Sequence, residues 1–176
     1  MFSVLKIVPH LLDLFFFVRG NYIKMNLSLL NILTFLIQNN IKLLAYKDTD
    51  ISKISDKDIM KCINHSNMCV PHLIKMIHLD PKKPENHNIY ISNIKNNYVM
   101  LYDGKKWNLQ NRDEAIINLI DDKEMIFEQK LEEWIESSNQ YPDIMNKFNR
   151  YIEKKENNEI LNNIKEEIKL ILFNNR

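Results

Sequence analysis

Cys62, His65, Cys69 and His72 follow one another as Cys-x2-His-x3-Cys-x2-His, the residue types of a Cys2His2 zinc site. Zinc takes four such ligands in a tetrahedron, and these intervals are short enough to gather them. The spacing is not that of a finger, and no second ligand pair lies at a distance. The leading reading is therefore Cys62 packed as a small hydrophobe with His65 and His72 on the surface of a helix–turn–helix, with zinc as the alternative. A second cluster, HLDPKKPENHN, holds His78, Asp80, Asn86, His87 and Asn88. A histidine that activates water beside groups that hold a cation would make a divalent-metal-dependent, nuclease-like hydrolase, with His78, Asp80 and His87 as its catalytic set. Here a run of strands follows where that chemistry needs a helix. The favoured reading is structural: Asn86 and Asn88 satisfy backbone groups around two prolines, and His78 caps a helix C-terminus. A third set, Lys82, Lys83, Lys95, Lys105, Lys106 and Arg112, is interleaved with Tyr90, Tyr98, Tyr102 and Trp107. Basic groups around aromatic rings on a sheet can pair phosphates and stack single-stranded bases. No glycine-rich phosphate loop or nucleophile elbow is present, so the expectation leans to a non-enzymatic interaction module.

These residues need elements to position them. Asn88 to Ile94 alternates, with Ile89 and Ile91 on one face and Tyr90 and Ser92 on the other, which predicts a strand. Asn96-Asn97 suits a tight reversal at positive φ. Tyr98 to Tyr102 is a second β-prone run, and Asp103-Gly104 then signals a hairpin into a third strand, Lys105 to Leu109, with Trp107 toward the core. The result is a three-stranded antiparallel meander over about residues 88–109. Before it, Ile41 to Tyr46 has strand-like composition. Ser55 is an N-cap for a helix over Asp56 to His65, and Pro71 opens a second helix ending at His78. After it, Asn111 and Glu114 form a capping box for a helix carrying Ile116, Ile117, Ile120, Phe127, Leu131 and Trp134, with a break at Asp121-Asp122. Ser137 to Tyr141 reads as a loop. A helix from Pro142 shows Ile144, Phe148, Tyr151 and Ile152, and a last one shows Leu161, Ile164, Ile168 and Ile171. Helices around a small antiparallel sheet make an α+β fold.

The 176 residues suit one domain over 41–176, preceded by an apolar extension over 1–40. A hydrophobic share of 45% supports a core, and a net charge of +1 supplies no global field for gripping a polyanion, so any nucleic-acid contact must be a local patch. Two cysteines do not make a disulfide framework. In the extension, Pro9, His10 and Asp13 interrupt the apolar run, and Asn, Ser and Gln punctuate residues 26–40. That composition argues against a membrane span. Acidic residues from Asp113 to Glu136 oppose the basic meander in sign, which suits self-association or docking to a protein partner.

The segments SKISDKDIMKCIN, PHLIKMIHLDPKKPENHNIYISNIKNNYVMLYDGKKW and LIDDKEMIFEQKLEEW, within Ile51 to Trp134, resemble an uncharacterised domain of nucleocytoplasmic large DNA viruses. In many relatives that domain follows a C2H2 zinc finger. No finger pattern precedes Ile51 here. The resemblance implies action in an infected cell, in the host cytoplasm, the viral factory or the virion, and carries no assigned activity.

Overall fold

A computed structural model describes residues 41–137 and 141–175. The expectations for the apolar extension, and for the middle of the loop between Ser137 and Tyr141, lie outside these residues. Within them, no helix is long and apolar enough to cross a membrane.

The fold is α+β, with five α-helices and a three-stranded antiparallel sheet in the order β1-β2-β3 among the described residues. α1 (Asp56–Ile63) begins at the expected cap, where the Ser55 hydroxyl oxygen accepts from the Asp58 amide at 3.3 Å and the Asp58 carboxylate accepts from the Ser55 amide at 3.1 Å. α2 is Cys69–His78, so Pro71 sits inside its first turn rather than opening it. The amide that proline lacks would have no partner within the helix at that position. Seven of the ten α2 residues are buried, leaving only His72, Lys75 and Met76 partly outside. A helix that is apolar nearly all round belongs at the centre. α2 accordingly packs against α1, against α3 (Arg112–Glu136) and against α5 (Leu161–Asn174).

α3 runs unbroken for 25 residues through Asp121-Asp122. Both carboxylates have partners: Lys155 lies 3.9 Å from Asp121, and the Tyr46 hydroxyl donates to Asp122 at 3.1 Å. The modest helix propensity of Asp is outweighed by the buried stripe from Ala115 to Trp134 on either side. At its start, the Asn111 side chain accepts from the Asp113 and Glu114 amides. α4 (Pro142–Glu156) buries Phe148 and Tyr151 against α3, and Asn158, at φ 58°, turns the chain into α5. Asn tolerates that left-handed conformation better than most residues. α5 packs on its own domain through Ile164, Ile168, Ile171 and Leu172.

The sheet departs from expectation in three places. β1 is only Ile89–Tyr90, because the Ile91 amide turns away from β2 (Tyr98–Tyr102) and donates to Leu172 O of α5 at 3.1 Å. The reversal before β2 uses no positive φ at Asn96-Asn97. Asn93 makes it instead, its side chain accepting from the Lys95 amide and its carbonyl from the Asn96 amide. The Arg112 guanidinium then staples that loop by donating to Ile94 O, Asn96 O and Asn97 Oδ1. Finally, β3 is Trp107–Asn111 rather than Lys105 to Leu109, because the hairpin loop spans four residues, 103–106, and pairs Tyr102 with Trp107.

That register sorts the side chains. Ile89, Ile91, Val99 and Leu101 point inward and are buried against α3 and α5. Trp107 shares the face of Tyr102 and therefore lies on the outer side, correcting its expected place in the core. Gly104 holds φ +95° at the hairpin, with Ala45 Cβ 3.4 Å from where its own Cβ would be. That contact is ordinary, so strain dominates any substitution. Gly104→Ala is expected to destabilise the fold by about 1–2 kcal/mol, read from urea midpoints; an unchanged midpoint would contradict this.

Candidate nucleic-acid interface

The residues expected to do chemistry fall into three environments. His78 ends α2 fully buried, and its Nδ1 lies 2.9 Å from Asn88 Oδ1. The Asn88 amide nitrogen donates to Thr49 Oγ1 at 2.9 Å and to Ala45 O at 3.4 Å, so its oxygen faces the imidazole and the proton sits on Nδ1. Nε2 has no hydrogen-bond partner among the described residues. Burial, and then the Lys123 ammonium, push the His78 pKa down to about 3, so the ring is neutral. Tyr46 stacks on this ring at 5.6 Å and receives Lys123 Nζ at 5.8 Å from its centroid. Burial also lowers the Lys123 ammonium and raises the Tyr46 hydroxyl.

Asp80 and His87 do not join His78. The Asp80 carboxylate accepts from the Lys82 amide at 3.0 Å, closing a turn, and His87 Nε2 donates to the Asp80 backbone carbonyl at 2.9 Å. The HLDPKKPENHN loop instead clamps the segment 44–50, which runs extended before a single 3-10 turn, Tyr46–Asp48, and forms no strand. Leu44 N donates to Glu85 O, and the Asn86 side chain both accepts from Asp50 N and donates to Asp50 O. The expected structural role of Asn86 and Asn88 is thus met on a different partner, the preceding chain.

His65 and His72 stack face to face at 3.4 Å between centroids, and His72 Nδ1 donates to Met68 O. Stacked rings set their nitrogens side by side rather than aiming them at one point. Burial and the neighbouring His72 lower the His65 pKa. Cys62 and Cys69 are both buried, which pushes their thiols up to about 11 and about 12 and keeps them protonated. Zinc binds thiolates, so loading this set would have to release both protons against that burial. Among the described residues, no group of three or more His, Cys, Asp or Glu is arranged to hold a metal ion.

The third environment is a surface. Tyr90, Tyr98, Met100, Tyr102, Trp107 and Leu109 all lie on the outer face of the sheet by register. None is buried; Tyr98 is 54% and Leu109 63% exposed. Trp107 meets Tyr90 edge-on at 4.8 Å and Tyr102 at 5.4 Å, a rigid aromatic group at the hairpin end. Tyr98 marks the far end of β2, about 13 Å away at the usual rise per strand residue.

Positive charge brackets this strip. Lys105 and Lys106 stand in the hairpin loop beside Trp107, and Lys95 stands in the loop beside Tyr98. Lys82 and Lys83 lie in the proline loop, whose Glu85 holds the same segment that touches Gly104. None of these five lysines makes an ion pair among the described residues. Arg112 differs, since its guanidinium is committed to the Asn93–Asn97 loop. The hairpin also carries Asp103, held down to about 2 by the Lys106 amide, the Asn108 side chain and the Lys105 amide, so its charge is permanent but turned into the loop. Sequence reasoning named the aromatics but overlooked Met100 and Leu109, whose alternation with Tyr98, Tyr102 and Trp107 was the available signal.

No family model matches the chain, and neither a curated protein nor a solved structure does.

Proposed function

We propose that this chain is a binding module whose outer sheet face contacts single-stranded nucleic acid. One observation carries the reading: a sheet face presents aromatic rings in a row, with lysines at both ends that make no ion pair among the described residues. Flat rings accept any base by stacking, and lysines at the ends meet the phosphates that flank the stacked bases. Burying Tyr98 and Leu109 under bases also removes apolar surface that the fold otherwise leaves in water. The proposed setting is the infected host cell, and its support is the residue resemblance of Ile51 through Trp134 alone.

Fluorescence anisotropy with labelled oligonucleotides of about 12 nucleotides, and a duplex of the same length, tests this. Single strands are expected to bind in preference to the duplex. Trp107→Ala and Tyr98→Ala should each cost about 1–3 kcal/mol of binding. Lys105→Glu/Lys106→Glu should weaken binding and reduce the slope of log affinity against log salt by roughly 1.4, the share of two phosphates on a single strand. Unchanged affinity in the tyrosine and lysine variants would end the proposal.

A further inference from the structure

α3 and α4 lie side by side and meet through side chains: Phe127 on Phe148 at 5.5 Å between ring centroids, Glu124 with Tyr151 at 2.5 Å, and Lys155 with both Glu124 and Asp121. Above these contacts the helices leave a surface groove of about 460 Å³. Its floor is apolar, formed by Leu131, Ile135, Phe148 and Ile152, with Ile135 48% exposed. Its rim is acidic, with Glu128 and Glu132 from α3 facing Glu153 and Glu156 from α4.

These four carboxylates differ from the acids around them. Glu124 and Asp121 are met by Lys155, and Glu133 and Asp56 by Lys130. No basic side chain pairs with Glu128, Glu132, Glu153 or Glu156 among the described residues. The apolar floor is costly to leave in water, while the four unneutralised charges around it repel one another and any polyanion and attract cations. They do not converge as a metal cage. Nor does a sheet edge border the groove, so an extended peptide would find no backbone partners there.

We propose that this groove docks a cationic amphipathic helix of a partner protein. A third helix laid between two others buries its apolar ridge in their groove, and Lys or Arg beside that ridge reach the glutamates. The α4 side of the groove, from Met145 to Glu156, spans about 16 Å at 1.5 Å per residue, which fits about three turns of the incoming helix. Its recognition pattern is therefore apolar residues at i, i+3 or i+4, and i+7, flanked by basic ones. The surface is separate from the lysine-edged sheet face, so it stands or falls independently of nucleic-acid binding.

The probe is a labelled amphipathic Leu/Lys peptide of about five turns, titrated with the full chain by anisotropy, beside a Leu/Glu peptide of the same pattern. Saturable binding of the Leu/Lys peptide alone is expected. Glu132→Lys/Glu153→Lys should weaken it by roughly tenfold or more, and so should Ile135→Asp, at a half-exposed position of the groove floor. Asp113→Lys/Glu114→Lys, which reverses two exposed acids at the start of α3, should leave binding as it was. Circular dichroism and thermal midpoints confirm that each variant is folded before it is titrated. Absence of saturable binding, equal affinity in the groove variants, or an equal loss in the Asp113/Glu114 variant would each overturn the proposal.

Discussion

Asn88→Ala is expected to destabilise the protein by about 3–5 kcal/mol, a large share of the stability of an ordinary domain. The residue is fully buried, and its side chain satisfies three groups at once: His78 Nδ1–H, Thr49 Oγ1 and Ala45 O. Truncation leaves His78 Nδ1–H and Ala45 O unmet in the interior, where each such group costs about 1–3 kcal/mol, and frees the half-buried Thr49 hydroxyl. The penalty is not simply additive, because the groups form one network that relaxes together. His78 would suffer most, since its Nε2 already has no partner and the loss of Nδ1 would strand the whole ring. Thr49→Ala removes one bond of the set and the hydroxyl's own bond to Tyr46 O, at a half-buried position, and should cost only about 1–2 kcal/mol. Urea denaturation of the two variants separates the cases. If Asn88→Ala unfolds within about 1 kcal/mol of the parent, the clamp on segment 44–50 is not what holds it. Limited proteolysis offers a second readout, with new cleavage expected between Ala45 and Asp50 in the alanine variant.

Acid should weaken the fold well above the pH at which carboxylates titrate, and His78 is the reason. Its folded pKa is depressed to about 3 from an ordinary 6.5, so between those values the unfolded chain takes up a proton that the folded chain refuses. Stability from this residue is complete above pH 6.5 and is lost as the pH falls, at about 1.4 kcal/mol per unit. Asp50, Asp58 and Asp103 are also held low, by hydrogen bonds from Ser52, from Ser55, and from the Lys105 and Lys106 amides with the Asn108 side chain. Those groups act only below about pH 4, the usual carboxylate range. Between pH 6.5 and 4.5 the buried imidazole is therefore expected to lose about 2–3 kcal/mol; His65, also lowered but exposed, acts in the same direction, and the His78 variant separates the two. His78→Gln can still donate to Asn88 but cannot titrate, so it should flatten that part of the profile even though its stability at pH 7 is lower. A parent protein whose urea midpoint is constant over this window, or a glutamine variant with the same slope, would refute the assignment.

Local chemistry was legible where a few neighbouring residues decide the outcome. Ser55 with Asp58, the buried stripe of α3, the run Tyr98–Tyr102 and the glycine at the hairpin all work within one or two turns of chain. Their physics is short-range: an oxygen that caps an amide, a period of 3.6 or 2, a positive φ that glycine alone accepts readily. The α+β class follows from summing such signals. The reading failed where a distant partner intervened. β1 is short because α5, some eighty residues later, takes the Ile91 amide; α3 does not break at Asp121-Asp122 because the buried stripe on either side packs against α2 and α5, with Lys155 and Tyr46 meeting the two carboxylates.

The candidate sites divide the same way. Residue types alone placed lysines and aromatics on the meander and suggested a helix-capping histidine in the HLDPKKPENHN loop. Only the tertiary structure decided that Trp107 faces outward: it pairs with Tyr102, on the face opposite the buried Val99 and Leu101, and the helices cover that other face. Only it showed that the Asn-rich loop grips segment 44–50, a contact between residues about forty positions apart that leaves no periodic trace. The acidic groove is of the same kind. Glu128 and Glu132 read as an ordinary solvated helix face until α4 brings Glu153 and Glu156 opposite them across an apolar floor. Composition and spacing determine which elements form; which side chains share a surface is set by how those elements pack, and binding depends on the second.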